Sequence, residues 1–222
     1  MAAVSEPLGL SSLPLFPLNT VLFPGGMLPL QIFEVRYLDL MRKCIKTSAP
    51  FGVVSLVKGA EVRKADPSLP AGDGFAEELF ADVGTLATVI EVATPQPGLM
   101  VVRCTGGARF RIKERRQLKH GLWVADVDAL PADAATAVPE DLQPVVQALQ
   151  RVIAGLQERA VPQEQMPLQP PYQLDDCAWV ANRWCELLSL PTHLKQSLMQ
   201  LDGPLLRLEL VGDFLRKGGI IS

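Results

Sequence analysis

Residues 13–37 read LPLFPLNTVLFPGGMLPLQIFEVRY, two apolar runs that are interrupted by prolines and joined by a Pro-Gly-Gly turn. In the second run, Leu28, Leu30 and Ile32 occupy alternate positions, and this period of two predicts a strand with one buried face. Pro29 has no backbone N–H to donate, so we expect the strand to lie at a sheet edge or at a bulge. The segment holds more apolar side chains than one face of a strand can bury.

A helix is predicted directly after this strand. Apolar residues recur at helical spacing with charged residues between them: Tyr37, Leu38, Met41, Cys44 and Ile45. Glu34 falls at the expected helix start, where a carboxylate can accept hydrogen bonds from exposed N–H groups. We therefore interpret Glu34 as a capping residue. A catalytic pair of Glu34 and Arg36 is the alternative.

The rest of the chain divides into a β-rich part and a helical part. Segments rich in β-branched residues and separated by Gly/Pro turns predict further strands at 51–57, 83–94, 99–106, 108–114 and 122–130. From residue 131 the composition shifts to helix formers with apolar stripes. We predict an α+β protein with a β-rich subdomain at 1–130, containing a small barrel and one packed helix, and a helical subdomain at 131–222.

Composition excludes several classes of protein. The 222 residues are 48% hydrophobic, carry a net charge of −3 and contain no apolar stretch long enough to span a membrane. The acidic balance makes nucleic acid an unfavourable partner. The four scattered cysteines form no C-x-x-C pair, which predicts reduced core thiols and neither a metal site nor a cofactor. We expect a cytoplasmic protein.

The opening segment closely resembles that of the Lon N-terminal domain, also called the LON substrate-binding domain. Members of this family have an F-P-G turn and an I-F-E-x-R-Y junction, which correspond here to Phe23-Pro24-Gly25 and to residues 32–37. Similar segments follow in the same order at 51–54, 83–92, 99–112 and 175–215. The resemblance implies a PUA-like β-barrel followed by a helical bundle, acting as a non-catalytic module that recognises protein substrates or partners.

A complete Lon-type protease also needs an ATPase phosphate loop, G-x-x-x-x-G-K-[ST], and a peptidase domain with a Ser–Lys dyad. The phosphate loop is absent from this sequence. We therefore expect a stand-alone member of the family, without ATPase and peptidase domains and without catalytic residues. A role as a proteolysis adaptor fits that expectation.

Surplus apolar residues beside the predicted edge strand indicate a peptide groove, because an edge offers unpaired backbone groups. The long connection at 58–82 is predicted to be a partly mobile flap whose apolar residues lie near the barrel mouth. The expected polypeptide-binding residues are Phe16, Phe23, Met27, Phe33, Phe75, Leu79 and Phe80. Their expected ligands are unfolded or exposed apolar polypeptide segments, with a protease as a candidate partner. Burial of this surface under the C-terminal helices is the alternative.

A second candidate site is a basic ridge on one predicted strand. Strand alternation around inward-facing Phe110 and Ile112 would place four cations on one face: Arg109, Arg111, Lys113 and Arg115. RNA binding by a PUA-like barrel is the alternative function that this ridge suggests. Aromatic residues that could stack bases are not interleaved with the cations, so a solvated face or an acidic-peptide site is favoured.

A hydrolase is the third hypothesis and has the least support. Asp175 and Asp176 precede a helical stripe and are interpreted as capping residues rather than an acid–base pair. His193 lies at another expected helix start with no nucleophile near it in sequence. Trp179 and Trp184 are interpreted as core residues.

Overall fold

The computed structural model describes residues 9–59, 78–162 and 165–222. Their strands are β1 (Gly9–Leu18), β2 (Met27–Ile32), β3 (Phe51–Lys58), β4 (Leu79–Phe80), β5 (Val83–Gln96), β6 (Leu99–Gln117) and β7 (Trp123–Ala129). Their helices are α1 (Val35–Thr47), α2 (Gln143–Glu158), α3 (Cys177–Leu187), α4 (Thr192–Gln200) and α5 (Pro204–Lys217). The predicted α+β class is confirmed. Among the described helices, none is both long and apolar enough to span a membrane.

The strand pairings form a closed circuit. β1 pairs in parallel with β3 and antiparallel with β7, and the antiparallel order continues through β6 and β5 back to β3. β4 adds to β3, and β2 lies off this path and pairs with β6. Among the described residues, β2 pairs with β6 alone, so it lies at a sheet edge, as Pro29 predicts.

Residues 99–117 form one strand of 19 residues, so the prediction of two strands separated by a glycine turn was wrong. Gly106 lies inside this strand because another segment passes very close to it. A Cβ atom at Gly106 would lie 2.2 Å from the backbone oxygen of Phe23, a separation that only glycine can accommodate without a shift. The glycine permits close packing and does not make a turn.

Buried apolar residues form two clusters in the β-rich part. One cluster joins α1 to the sheet through Phe16, Tyr37, Met41, Phe51 and Cys104, among others. The other contains Leu15, Phe80, Phe110 and Val127. As predicted, α1 buries Tyr37, Leu38, Met41 and Cys44, whereas Ile45 remains partly exposed.

The chain divides into two compact units, one with the residues up to Pro24 and Leu28–Ala132, the other with Gly25–Met27 and Asp133–Ser222. In the second unit, the buried Arg207 donates hydrogen bonds to Asp133 at 2.6 Å and to the carbonyl oxygen of Leu198 at 2.9 Å. Asp176 accepts a hydrogen bond of 2.8 Å from the N–H of Trp179, which confirms it as a capping residue. These polar contacts hold the ends of the helices in place.

Candidate functional site

A groove runs along β2 and the start of α1 in the first unit, and we call it the β2 groove. Its volume is about 250 Å³. The lining residues come from β1, β2 and the first turn of α1: Phe16, Leu18, Pro29, Leu30, Gln31, Ile32, Phe33, Glu34 and Tyr37. Because β2 is an edge strand, the groove combines apolar side chains with strand backbone.

Two buried aromatic rings line the groove. The rings of Phe16 and Tyr37 stack with centroids 3.9 Å apart, and Phe51 lies 6.2 Å from Phe16 on the core side. The guanidinium carbon of Arg36 lies 4.5 Å from the Tyr37 ring centroid. Aromatic stacking and the cation–π contact keep the Tyr37 ring in one orientation, so this wall of the groove is rigid.

The junction between β2 and α1 exposes two apolar side chains to solvent. Phe33 is 55% exposed and Val35 is 71% exposed. The alternation seen in the sequence explains the exposure of Phe33, because its neighbour Ile32 points into the core. An exposed phenylalanine at the edge of an apolar groove is a feature typical of binding surfaces.

Glu34 occupies the N-cap position of α1, but its side chain makes no capping hydrogen bond, so that part of the interpretation was wrong. Its carboxylate instead accepts a hydrogen bond of 2.9 Å from Nε of Arg36. Arg36 also donates to the carbonyl oxygen of Gly121 at 2.7 Å and lies 3.5 Å from Glu78. Glu78 in turn accepts a 2.6 Å hydrogen bond from the indole of Trp123. This buried network binds α1 to the β6–β7 connection and to Trp123, and it replaces the capping contact.

The predicted polypeptide-binding residues do not share one surface. Phe33 is exposed at the β2 groove, and the buried Phe16 lines its inner wall. Phe23 is fully buried, which corrects the expectation that it adds to an exposed face; the backbone of this segment lies against the sheet at Gly106. Met27 is half-buried.

Of the predicted flap at 58–82, the structure describes residues 58–59 and 78–82, and Phe75 lies outside the described residues. Leu79 and Phe80 form β4, which pairs with β3. Leu79 is partly exposed, but Phe80 is 5% exposed and packs its ring 5.4 Å from Trp123. Phe80 is therefore a core residue rather than a residue of the barrel mouth. Its burial follows from the strand pairing, which turns alternate side chains inward.

The basic ridge is also smaller than predicted, because Arg109 is buried and donates to the carbonyl oxygen of Pro131 at 3.3 Å. Adjacent Arg109 and Phe110 are both buried because this part of β6 is covered on both faces, by the chain at Pro131 on the side of Arg109 and by an apolar cluster on the side of Phe110. The β5–β6 register is regular across Arg109 and Phe110, and its shift between Thr85 and Ala87 comes before both, so the two side chains keep opposite directions.

Two of the remaining ridge cations have acidic partners. The Nζ atom of Lys113 lies 2.7 Å from Oδ1 of Asp128. In Arg115, Nη1 lies 3.5 Å from Oδ1 of Asp82, and the guanidinium carbon lies 4.7 Å from the centroid of the Phe80 ring. Arg111 is exposed. The β6–β7 register shifts between Ile112 and Glu114, so Arg115 stands opposite the buried Ala125, whereas Arg111 stands opposite Asp128 on the other face of the sheet. The ridge is thus reduced to Arg111 and Lys113, and Asp128 offsets part of its positive potential.

A second groove, missed by the sequence analysis, lies between the end of α1 and β5 and has a volume of about 220 Å³. Its exposed apolar side chains are Ile45, Ile90 and Val92. Strand alternation does not reveal it, because a helix and a strand far apart in the chain form its two sides. It provides a comparison for the β2 groove within the same molecule.

The cysteines lack the properties of nucleophiles. Desolvation by burial raises the pKa of Cys104 and of Cys185 to about 12, and it also raises the pKa of Cys44 and Cys177. A cysteine nucleophile needs a lowered pKa. All four thiols are free and buried, as predicted for core residues, and they do not support the hydrolase hypothesis.

The chain is similar to known Lon N-terminal domains in sequence and fold. Residues 12–217 match the family model of the ATP-dependent protease La (LON) substrate-binding domain. A crystallised Lon N-terminal domain protein from Xanthomonas campestris is 31% identical, with a TM-score of 0.67 and coverage of 91% of this chain and 97% of that one. The N-terminal domain of Mycobacterium avium complex Lon protease is 16% identical, with a TM-score of 0.55 and coverage of 91% and 96%, and supports the fold alone. No curated protein matches the chain.

Proposed function

Because the chain belongs to the family of ATP-dependent protease La (LON) substrate-binding domains, we propose that it binds exposed apolar segments of other polypeptides without a catalytic site of its own. The β2 groove is the proposed binding site. One observation carries this assignment: an exposed Phe33 stands beside an apolar groove that follows an edge strand. Groove and strand together offer contacts to both the side chains and the backbone of a bound segment.

An extended ligand would add to the free side of β2. Backbone N–H and C=O groups at a sheet edge can pair with an incoming strand, although Pro29 removes one donor. Alternate side chains of the added strand would then face the groove and its Phe16–Tyr37 wall. Backbone pairing is independent of sequence, so this mode suits a module that accepts many apolar segments.

The volume of the β2 groove suits the side chains of a bound polypeptide segment. Small-molecule sites usually occupy about 300–1,000 Å³, and the β2 groove, at about 250 Å³, is smaller. One or two apolar side chains would fill it. Phe33 and Val35 extend the apolar contact beyond the groove, and burying their exposed surface favours binding by about 25 cal/mol per Å².

The proposal also includes the type of barrel, the helical bundle, the partner and the cellular location. The circuit of pairings from β1 through β7, β6, β5 and β3 supports a PUA-like barrel, and the buried Arg207 that links Asp133, Asn182 and Leu198 supports a helical bundle. A protease that receives the bound polypeptide is the proposed partner. The cytoplasm is the proposed location, which the free thiols of all four cysteines fit.

Titration of a fluorescently labelled, permanently unfolded protein tests the proposed function. We expect saturable binding at micromolar concentrations, with competition by unlabelled unfolded protein and no competition by the folded form. Absence of saturable binding in this range would overturn the proposal.

RNA binding through Arg111 and Lys113 is the second candidate, supported by the exposure of Arg111. It predicts binding to single-stranded RNA that weakens steeply as salt rises, because phosphate contacts release counterions. Lack of binding at low salt would eliminate this candidate.

A further inference from the structure

The helical unit has a groove of its own on α2, and we call it the α2 groove. Its volume is about 380 Å³. The lining residues lie on one face of α2, with one contribution from the chain after α5: Ala148, Arg151, Val152, Gly155, Leu156, Arg159 and Ile220. Val152 and Leu156 are half-buried, and Ile220 is 45% exposed. The apolar side of α2 is thus only partly used by the core.

Two arginines stand at the ends of this apolar face. Arg151 and Arg159 are exposed, and within the described part of the chain their guanidinium groups make no hydrogen bond or ion pair. They are eight residues apart, which is roughly 12 Å along a helix at about 1.5 Å per residue. Among the described residues that line the groove none is acidic, so the two arginines give both of its ends a positive charge.

Gly155 keeps the centre of the groove open. A Cβ atom built at Gly155 would meet no atom within 4 Å, so the glycine is not required by packing inside the protein. Glycine in a helix interior costs about 1 kcal/mol relative to alanine. Its place between Val152 and Leu156 leaves room for the backbone of a partner to approach α2 closely.

We propose that the α2 groove docks an amphipathic helix of a partner protein, with apolar residues facing Val152, Leu156 and Ile220 and acidic residues facing Arg151 and Arg159. Charge complementarity selects the acidic flanks. A helix is the fitting form because it satisfies its backbone hydrogen bonds internally, whereas an extended segment would leave them unpaired on an apolar helical face. This site takes a different ligand from the β2 groove, and it does not rest on the function proposed there.

The test uses the full chain and two labelled synthetic helices of about 18 residues, long enough to be helical in water. Both carry the same leucine stripe, and they differ only in flanking residues, glutamate in one and lysine in the other. We expect the glutamate peptide to bind at least about tenfold more tightly, and the preference to weaken with salt. The double variant Arg151→Glu/Arg159→Glu should reverse the preference.

Two controls make the result specific to this groove. Lys46→Glu/Lys119→Glu changes the net charge equally on exposed residues of the first unit and should keep the preference of the natural chain. The Cβ atom of Gly155→Leu enters open space, and the rest of its side chain should fill the groove and abolish binding of both peptides while the protein stays folded.

Three outcomes would overturn the proposal. One is equal binding of the two peptides to the natural chain, or no binding of either. Another is unchanged binding by the Gly155→Leu variant. The third is a concentration-dependent dimer that Gly155→Leu abolishes, because it would assign the groove to a second copy of this chain.

Discussion

The rings of Phe16 and Tyr37 stack in parallel, with centroids 3.9 Å apart and an interplanar angle of 14°. Phe16 comes from β1 and Tyr37 from α1, so one contact fixes the helix on the sheet and also forms a wall of the β2 groove. Both rings are buried. The exposed Phe33 can therefore be changed without opening the core, which allows binding and stability to be separated.

Replacing Phe33 by serine should weaken binding of an unfolded polypeptide at least about fivefold, because an exposed apolar contact of the groove is lost. The free energy of unfolding should change by less than about 1 kcal/mol, as is usual for surface positions. Val92→Ser, in the groove between α1 and β5, is the matched control and should leave binding unchanged. Equal losses of affinity in both variants would indicate nonspecific apolar binding rather than a site at the β2 groove.

Phe80 provides the opposite case. Phe80→Ala should lower the free energy of unfolding by about 3–5 kcal/mol, because it removes a buried ring packed on Trp123. Leu79→Ala, at the more exposed neighbour in β4, should cost less than about 1 kcal/mol. Denaturant unfolding of both variants measures this difference. A small loss for Phe80→Ala would restore the flap predicted from the sequence.

Two glycines should respond in opposite directions to the same substitution. Gly106→Ala forces a Cβ against the backbone oxygen of Phe23 and should destabilise the protein by more than about 2 kcal/mol. Gly155→Ala enters open space on α2 and should stabilise the protein by up to about 1 kcal/mol. Thermal unfolding of the two variants compares them directly. Similar effects of both changes would contradict the close approach at Gly106.

Glu186 should make stability depend on pH. Desolvation raises its pKa to about 8, while the ion pair with Arg183 at 2.8 Å acts in the opposite direction. Between about pH 5 and pH 8 the unfolded chain therefore loses a proton that the folded chain retains, and the free energy of unfolding falls as pH rises. Relative to the natural chain, Glu186→Gln should become progressively more stable across this range. Parallel stability curves for the two proteins would refute this assignment.

The sequence predicted the structural features that depend on interactions between neighbouring residues. The alternation of Leu28, Leu30 and Ile32 gave β2, Pro29 gave its edge position, and Asp176 gave the start of α3. Each depends on strand periodicity, a missing N–H or a side chain that accepts from a nearby backbone donor. The F-P-G turn and the I-F-E-x-R-Y junction near the start of the chain indicated the family.

Features that depend on distant segments were not predictable in the same way. The burial of Arg109 results from the chain at Pro131 that lies against it, and the role of Gly106 results from the passage of Phe23 beside it. Phe80 is buried because β4 pairs with β3. A single sequence shows which residue types stand at these positions but not which segments meet there. More of these side chains were therefore predicted to be exposed than the structure exposes.

Site-specific photo-crosslinking tests the central claim most directly. A photoreactive phenylalanine analogue replaces Phe33 in one variant and Val92 in another, and each protein is irradiated with labelled unfolded polypeptide. The proposed β2 groove predicts a strong crosslinked product from position 33, competed by unlabelled unfolded polypeptide, and little product from position 92. Equal products from both positions, or a product from position 92 alone, would contradict it.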